Sequence, residues 1–222
     1  MNLSINTIVV PQGAEYQAVC RGLQQKGSKI QVIAIPIGTK DVLQTLVNRS
    51  FKFTTPQRVL IMGLCGSLSQ QYSVGDTVLY QDCCNLNRQY LNLEPELTTM
   101  IHNKLSLNLV TGLTSDRPIC LASHKRKLAQ QYAAEAVDME GYGYIKELQR
   151  QGISVAMLRV ISDDLTGNIP NLSLAIDEDG NLKSLPLASA FLRQPIAAIR
   201  LIKGSLIGLK KLQQITTKLC LM

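Results

Sequence analysis

The chain contains no tryptophan, only two histidines (His102 and His124), no C-x-x-C pair among its six cysteines, and no acidic residue after Asp179. Each absence excludes something. Cysteines at 20, 65, 83, 84, 120 and 220 with two isolated histidines match neither a zinc site nor a disulfide framework, so no metal is expected. His102 and His124 both sit in polar stretches, which disfavours a Ser-His-Asp or Cys-His triad. No run reaches about 18 apolar residues, the length a membrane span needs. The first residues lack a basic stretch, an apolar block and a small-residue cleavage site, so a cytoplasmic protein without a signal peptide is expected.

The missing acids also locate the charge. Lys183, Arg193, Arg200, Lys203, Lys210, Lys211 and Lys218 account for the whole net excess of +7, which leaves the rest of the chain neutral. Nucleic-acid binding predicts a basic face with interleaved aromatics, but Phe191 is the one aromatic in this segment. No nucleic-acid partner is expected; an anionic membrane surface or an acidic partner suits the tail better.

What is present reads as one α/β domain over residues 1–194, followed by a basic amphipathic helix over 195–222. The 222 residues are 45% hydrophobic and 18% charged, an ordinary folded composition. Apolar and β-branched runs predict strands at 5–10, 31–37, 58–62, 77–80, 107–113, 136–138 and 154–161. Helical periodicity predicts helices at 14–25, 40–49, 123–133, 140–151, 185–192 and 195–219. Their alternation predicts a mostly parallel or mixed twisted central sheet flanked by helices. On a wheel of the last helix, Ile199, Leu201, Ile202, Leu206, Leu209, Leu212 and Leu219 share one face and the cations another. That face can pack on the domain, or the helix can lie on an anionic membrane; Ile196 and Ile207, among the cations, do not fit simple packing.

Two motifs carry chemistry. Val137-Asp138-Met139-Glu140 closes an apolar run and enters a helix, and Leu158-Arg159-Val160-Ile161-Ser162-Asp163-Asp164 ends a second run. A first-turn helix acid and a capping loop would use the same residues. Together, carboxylates at the carboxyl ends of two strands are where an open α/β sheet binds ligands, and they suit acid-base work. Gly63-Leu64-Cys65-Gly66-Ser67-Leu68 is expected as a glycine-rich turn after a strand, able to bring backbone N–H groups close to an anion or a sugar. Neither G-x-G-x-x-G nor a P-loop lysine accompanies it. Val74-Gly75-Asp76 reverses the chain.

These motifs, in order with Val9 to Glu15 and Ser115-Asp116-Arg117-Pro118-Ile119, resemble the nucleoside phosphorylase superfamily over roughly residues 5 to 200. The nearest branches are the methylthioadenosine/S-adenosylhomocysteine nucleosidases and the hopanoid-associated phosphorylase-like enzymes. The resemblance implies cleavage of a purine N-glycosidic bond through a ribosyl cation-like transition state. It implies Asp163 as proton donor to purine N7, with Ser162 orienting it, and Glu15 as the acid that activates water. It implies Glu140 on the ribose hydroxyls, Met139 on the sugar face, Pro118 and Ile119 beside the base, and Gly63, Cys65 and Gly66 toward the nucleophile. A homo-oligomer and no cofactor, with phosphate as an optional co-substrate, are implied too. Chemistry reaches part of this independently: a purine anion leaves poorly near neutral pH, so a positioned acid supplies a proton, and a carboxylate stabilises the developing sugar cation.

Departures from the resemblance favour water over phosphate. Pro11-Gln12-Gly13-Ala14 and Ile61-Met62 stand where small phosphorylases carry phosphate-binding arginines, and Leu64 replaces a hydroxyl residue; Arg49, Arg88 or Arg117 could still supply a cation. The segment after Asp163 resembles the hopanoid-associated branch, which implies a 5′-modified adenosine, adenosylhopane among the candidates. The competing class is a non-catalytic α/β domain that binds a nucleoside or tethers to membrane.

Overall fold

The computed structural model describes residues 5–24, 30–38, 57–175 and 183–220; the helix expected at 40–49, with Arg49, lies outside them. The strands are β1 (Thr7–Pro11), β2 (Gln31–Ile35), β3 (Arg58–Ser67), β4 (Thr77–Asn85), β5 (Tyr90–Asn92), β6 (Asn108–Thr114), β7 (Ala136–Asp138) and β8 (Ser154–Asp163). The helices are α1 (Ala14–Gln24), α2 (Pro95–Leu105), α3 (Ala122–Tyr132), α4 (Gly141–Arg150), α5 (Ser184–Arg193) and α6 (Pro195–Leu219).

Strict alternation along the central strands separates two cores. Ile8, Val10, Leu60, Met62, Ala156, Leu158 and Val160 pack under α1, α2 and α6. Val9, Val59, Ile61, Val155, Met157 and Ile161 pack on the other side, under Tyr144, Ile145 and Leu148 of α4. Successive side chains of a strand point to opposite faces, so a run apolar at every position demands cover on both.

The sheet is mixed and closes on itself. β2, β1 and β3 run parallel, β8 lies parallel to β3 and antiparallel to β4, and β4 continues through β6 and β7 back to an antiparallel contact with β3. That last contact is short, Gly66 opposite Val137 and Ser67 opposite Ala136. It makes residues 63–67 part of a ten-residue strand rather than the turn expected from their glycines. Two elements escape the hydrophobic pattern. β5 is a three-residue edge strand on β4, and α2 is half polar. It starts where Pro95 occupies the first turn and the Glu94 carboxylate accepts from Glu96 N and Leu97 N, at 3.2 and 2.6 Å.

β8 carries a bulge. Cys65 pairs with Ile161, but the next residue, Gly66, pairs with Asp163, so Ser162 is the extra residue. In an unbroken strand Ser162 and Asp163 would point to opposite faces; the bulge turns both side chains to one place, the Ser162 hydroxyl donating to Asp163 Oδ2 at 3.2 Å.

α6 packs differently from its wheel. The buried side is Ala198, Gly204, Gly208, Leu212, Ile215, Thr216 and Leu219. Ile199 is 66% exposed and Leu206 63%, with Ile202 also open to solvent. The small residues explain it. A β-carbon on Gly204 would lie 2.0 Å from the Ser162 carbonyl oxygen, so the helix backbone reaches the bulge only along its glycines. Among the described residues no helix is long and apolar enough to cross a membrane. Gly204→Ala should therefore destabilise the fold by about 1–3 kcal/mol, as overpacking does, whereas Ile202→Ala on the same helix should change it by less than about 0.5 kcal/mol. Urea midpoints measure both, and equal shifts would contradict this packing.

Candidate active site

The ends of β3, β7 and β8, the start of α1 and the loop into α3 surround a cavity of about 180 Å³. Of the residues singled out in the sequence, Glu15, Cys65, Gly66, Pro118, Ile119, Met139, Glu140, Ser162 and Asp163 line it. Gly63 does not. A β-carbon there would meet Arg159 Nη1 at 2.1 Å, so Gly63 makes room for a guanidinium behind the wall. The cavity also takes in Leu64, Arg117, Lys125 and Asp138. Arg88 lies elsewhere, over the Tyr132 ring.

Glu140 and its neighbours form one end. Asp138 Oδ1 accepts from the backbone N–H groups of Glu140 and Gly141, at 3.0 and 2.7 Å, and from the Thr114 hydroxyl at 2.9 Å. The helix-start duty therefore falls to Asp138, which leaves the Glu140 carboxylate to the cavity. Glu140 Oε1 accepts from Gly38 N at 3.1 Å, and Oε2 from Arg159 Nη2 at 3.1 Å. Arg159 is fully buried, with Nε 3.8 Å from Asp138 Oδ2. Burial raises the Glu140 carboxyl above its usual range, and the guanidinium opposes that rise.

Glu15 approaches the same end from the first turn of α1 and accepts from Leu64 N at 2.5 Å. Burial, reinforced by the charge of Glu140 and opposed by Arg159, pushes its carboxyl from 4.5 up to about 8. A carboxyl so poised gains or loses a proton near neutrality.

Asp163 holds the other end. The Ser162 hydroxyl lies within bonding reach of both Asp163 Oδ2 and the Cys65 carbonyl, each at 3.2 Å. Lys125, on α3, ion-pairs with Asp163 Oδ1 and stands 3.4 Å from the Asp163 carbonyl. The loop-capping role open to this stretch belongs to Asp164, which accepts from Thr166 N at 2.9 Å.

Lys125 stands outside the motifs read from the sequence, and Asp138 and Arg159 stand inside them without a role of their own. Arg159 had a signal, a lone cation inside an apolar strand. Lys125 had none: Ser123-His124-Lys125-Arg126-Lys127 reads as a solvated helix face. Cys20, Cys65, Cys83, Cys84 and Cys120 form no disulfide, and among the described residues no cluster of His, Cys, Asp and Glu could hold a metal.

Comparison with known proteins agrees with this architecture. The sequence pattern of the Phosphorylase superfamily matches residues 6–193. A search of curated proteins finds no match in sequence. Among solved structures, the chain is similar to the 5′-methylthioadenosine/S-adenosylhomocysteine nucleosidase of Helicobacter pylori, crystallised with butyl-thio-DADMe-Immucillin-A. The TM-score is 0.68 at 16% identity, covering 99% of this chain and 97% of that one. It is similar also to the futalosine hydrolase of H. pylori (TM-score 0.65, 17% identity, 96% and 97% covered). The Campylobacter jejuni 5′-methylthioadenosine/S-adenosylhomocysteine nucleosidase follows (0.61, 14%, 95% and 100%). At these identities the likeness is one of fold.

The raised Glu15 carboxyl has a consequence for stability. Between its unfolded value of 4.5 and its folded value of about 8, the folded state keeps a proton that the unfolded state has lost. Stability therefore falls as pH rises through that window and levels off above it. Urea midpoints at pH 5 and pH 8 should differ less in Glu15→Gln than in the wild type, with the remaining slope carried by Glu140. An unchanged difference would mean that Glu15 titrates normally.

Proposed function

Because the chain belongs to the Phosphorylase superfamily, we propose that it cleaves the N-glycosidic bond of a purine nucleoside, with water as the incoming nucleophile. The observation that carries this reading is a single cavity with Glu140 and Glu15 at one end and Asp163 at the other. Glu140 holds the ribose hydroxyls, Met139 covers the sugar face, and the carboxylate charge stabilises the oxocarbenium character that grows as the bond lengthens. Pro118 and Ile119 flank the base. Asp163, oriented by Ser162, delivers a proton to N7 so that the base leaves neutral. Glu15, in its carboxylate form, takes the proton of the attacking water; the value raised to about 8 makes that carboxylate a stronger base, one that predominates only above that pH.

Charge supports water over phosphate. The sugar end presents Glu15, Glu140 and Asp138 to one guanidinium, which is engaged by Glu140. A phosphate dianion would face these carboxylates, and Arg117 is the one further guanidinium lining the cavity among the described residues. Purified protein should release free base in phosphate-free buffer, and Asp163→Asn should lower that rate by about 10²-fold or more while ligand binding persists. A rate that requires phosphate would overturn the hydrolytic reading; binding without any release, in the wild type, would favour a non-catalytic nucleoside binder.

The tail supports a finer reading, in which the substrate is an adenosine with a lipid at its 5′ carbon, such as adenosylhopane, met at a membrane surface. Leu185, Leu192, Ile196, Ile199 and Leu206 are exposed on α5 and α6, beside cations with no acid among them. Pairing two copies through this face would oppose like charges, whereas an anionic bilayer complements both features. Vesicles containing phosphatidylglycerol should sediment the protein at low salt, and vesicles of phosphatidylcholine alone should not. Leu206→Glu should abolish the binding, and no binding to the anionic vesicles would remove the membrane from the reading.

A further inference from the structure

Lys125 is 1% exposed, and its ammonium faces the cavity from α3 while pairing with the carboxylate proposed to protonate the base. Lysine is almost never buried to this degree without a partner, and here the partner is Asp163. Both Asp163 carboxylate oxygens accept here, Oδ1 from the ammonium and Oδ2 from the Ser162 hydroxyl. The Ser162 hydroxyl next to it is occupied by Asp163 and the Cys65 carbonyl, and burial raises the Cys65 thiol, which makes it a poorer acid. Among the described residues the Lys125 ammonium is in direct contact with Asp163, whereas Arg117, which also lines the cavity, does not deprotonate in proteins. The backbone opposite is shaped for the pair: a β-carbon on Gly66 would stand 3.1 Å from Lys125 Nζ and 3.2 Å from Asp163 Oδ1.

We infer that Lys125 is the source of the proton that leaves with the base, and that Asp163 relays it. The inference rests on the nucleosidase reading and deepens it. As the C1′–N9 bond breaks, its electron pair passes to the purine and reaches N7. One proton moves from Lys125 Nζ to Asp163, and from the Asp163 carboxyl to N7. The lysine is left as a neutral amine, Asp163 is again a carboxylate, and the purine departs uncharged. Water adds to C1′ and gives its proton to Glu15. After release, Glu15 returns a proton to solvent and Lys125 takes one up, which closes the cycle.

The test separates proton supply from charge and from folding. Arginine keeps the positive charge and the hydrogen bonds but does not deprotonate in proteins; glutamine keeps a donor without charge. Lys125→Arg and Lys125→Gln are compared with wild type on two substrates, a purine nucleoside that the wild type hydrolyses and 4-nitrophenyl β-D-riboside, whose nitrophenolate leaves without a proton. Both variants should lose about 10²- to 10⁴-fold in kcat on the purine nucleoside and keep their rate on the nitrophenyl riboside. That retained rate also reports an intact fold and sugar end.

Wild-type purine hydrolysis by Lys125→Arg would reduce the lysine to a charge and overturn the inference. Equal losses on both substrates would make the role structural and overturn it as well. A wild type that cleaves neither substrate would instead remove the nucleosidase reading itself.

Discussion

Arg159 is the constraint around which this site is built. A guanidinium with no solvent exposure, on a central strand, cannot relieve its burial by losing a proton. Carboxylates must therefore be brought to it. The last residue of β7 and the turn after it supply two, Asp138 and Glu140, and the first turn of α1 adds Glu15 nearby. Other features follow from this one group. Gly63 lacks a side chain because the guanidinium fills that space, and Asp138 divides itself between the helix start and the buried cation. Glu140 is pinned toward the cavity by its bond to Nη2. One cation does not satisfy three acids, and the third, Glu15, holds its proton up to about 8.

The opposite end depends on sheet closure instead. β3 is shared among β1, β7 and β8, and its register with β8 shifts between Cys65 and Gly66, where its pairing with β7 begins. The bulge at Ser162 lies at this shift. It spends one residue of β8 to turn two consecutive side chains to the same side, which a regular pleat forbids. α6 braces the bulge from behind, with Gly204 against the Ser162 carbonyl. The glycines of α6 thus link the exposed tail to the geometry of the proposed acid, although no side chain of the tail lines the cavity that holds Glu140.

Much of this was legible in the residues, for physical reasons that also mark where legibility stops. Strands buried on both faces show as continuous apolar runs, and carboxylates at their ends stand out against them, so β3, β7, β8, Glu140 and Asp163 could be found by reading along the chain. Glycine permits turns, so the sequence predicts one at residues 63–68, most of which belong to β3 instead. Their actual cause is non-local: Arg159, Asp163 and Lys125 crowd against them from other elements. The partnership of Lys125 with Asp163 spans 38 residues, and a lysine inside a basic helical stretch gives no local sign of being buried. On α6 the wheel followed the large apolar residues, but the contact surface follows the small ones. Close approach of backbones rewards the lack of a side chain, which a hydrophobicity pattern cannot express.

Both buried cations serve the site from nearby positions, and their surroundings differ. At the sugar end of the proposed site three carboxyls, Asp138, Glu140 and Glu15, gather around the one buried guanidinium of Arg159 among the described residues. At the base end Lys125 and Asp163 cancel. In the proposed reaction the sugar becomes positive while the base takes up an electron pair. The ribosyl cation forms where the carboxyls gather, and the base leaves from a neutral end that holds a transferable proton. Such a field is fixed before substrate arrives, and in the proposed reaction it would lower the barrier without rearrangement of the protein's dipoles. Reversing the two pairs along the cavity would oppose the same bond cleavage with the same side chains. In the proposed reaction the direction of charge flow is therefore set by the elements that carry the acids: the end of β7 and the turn into α4 bring two to Arg159, and the β8 bulge brings one to Lys125.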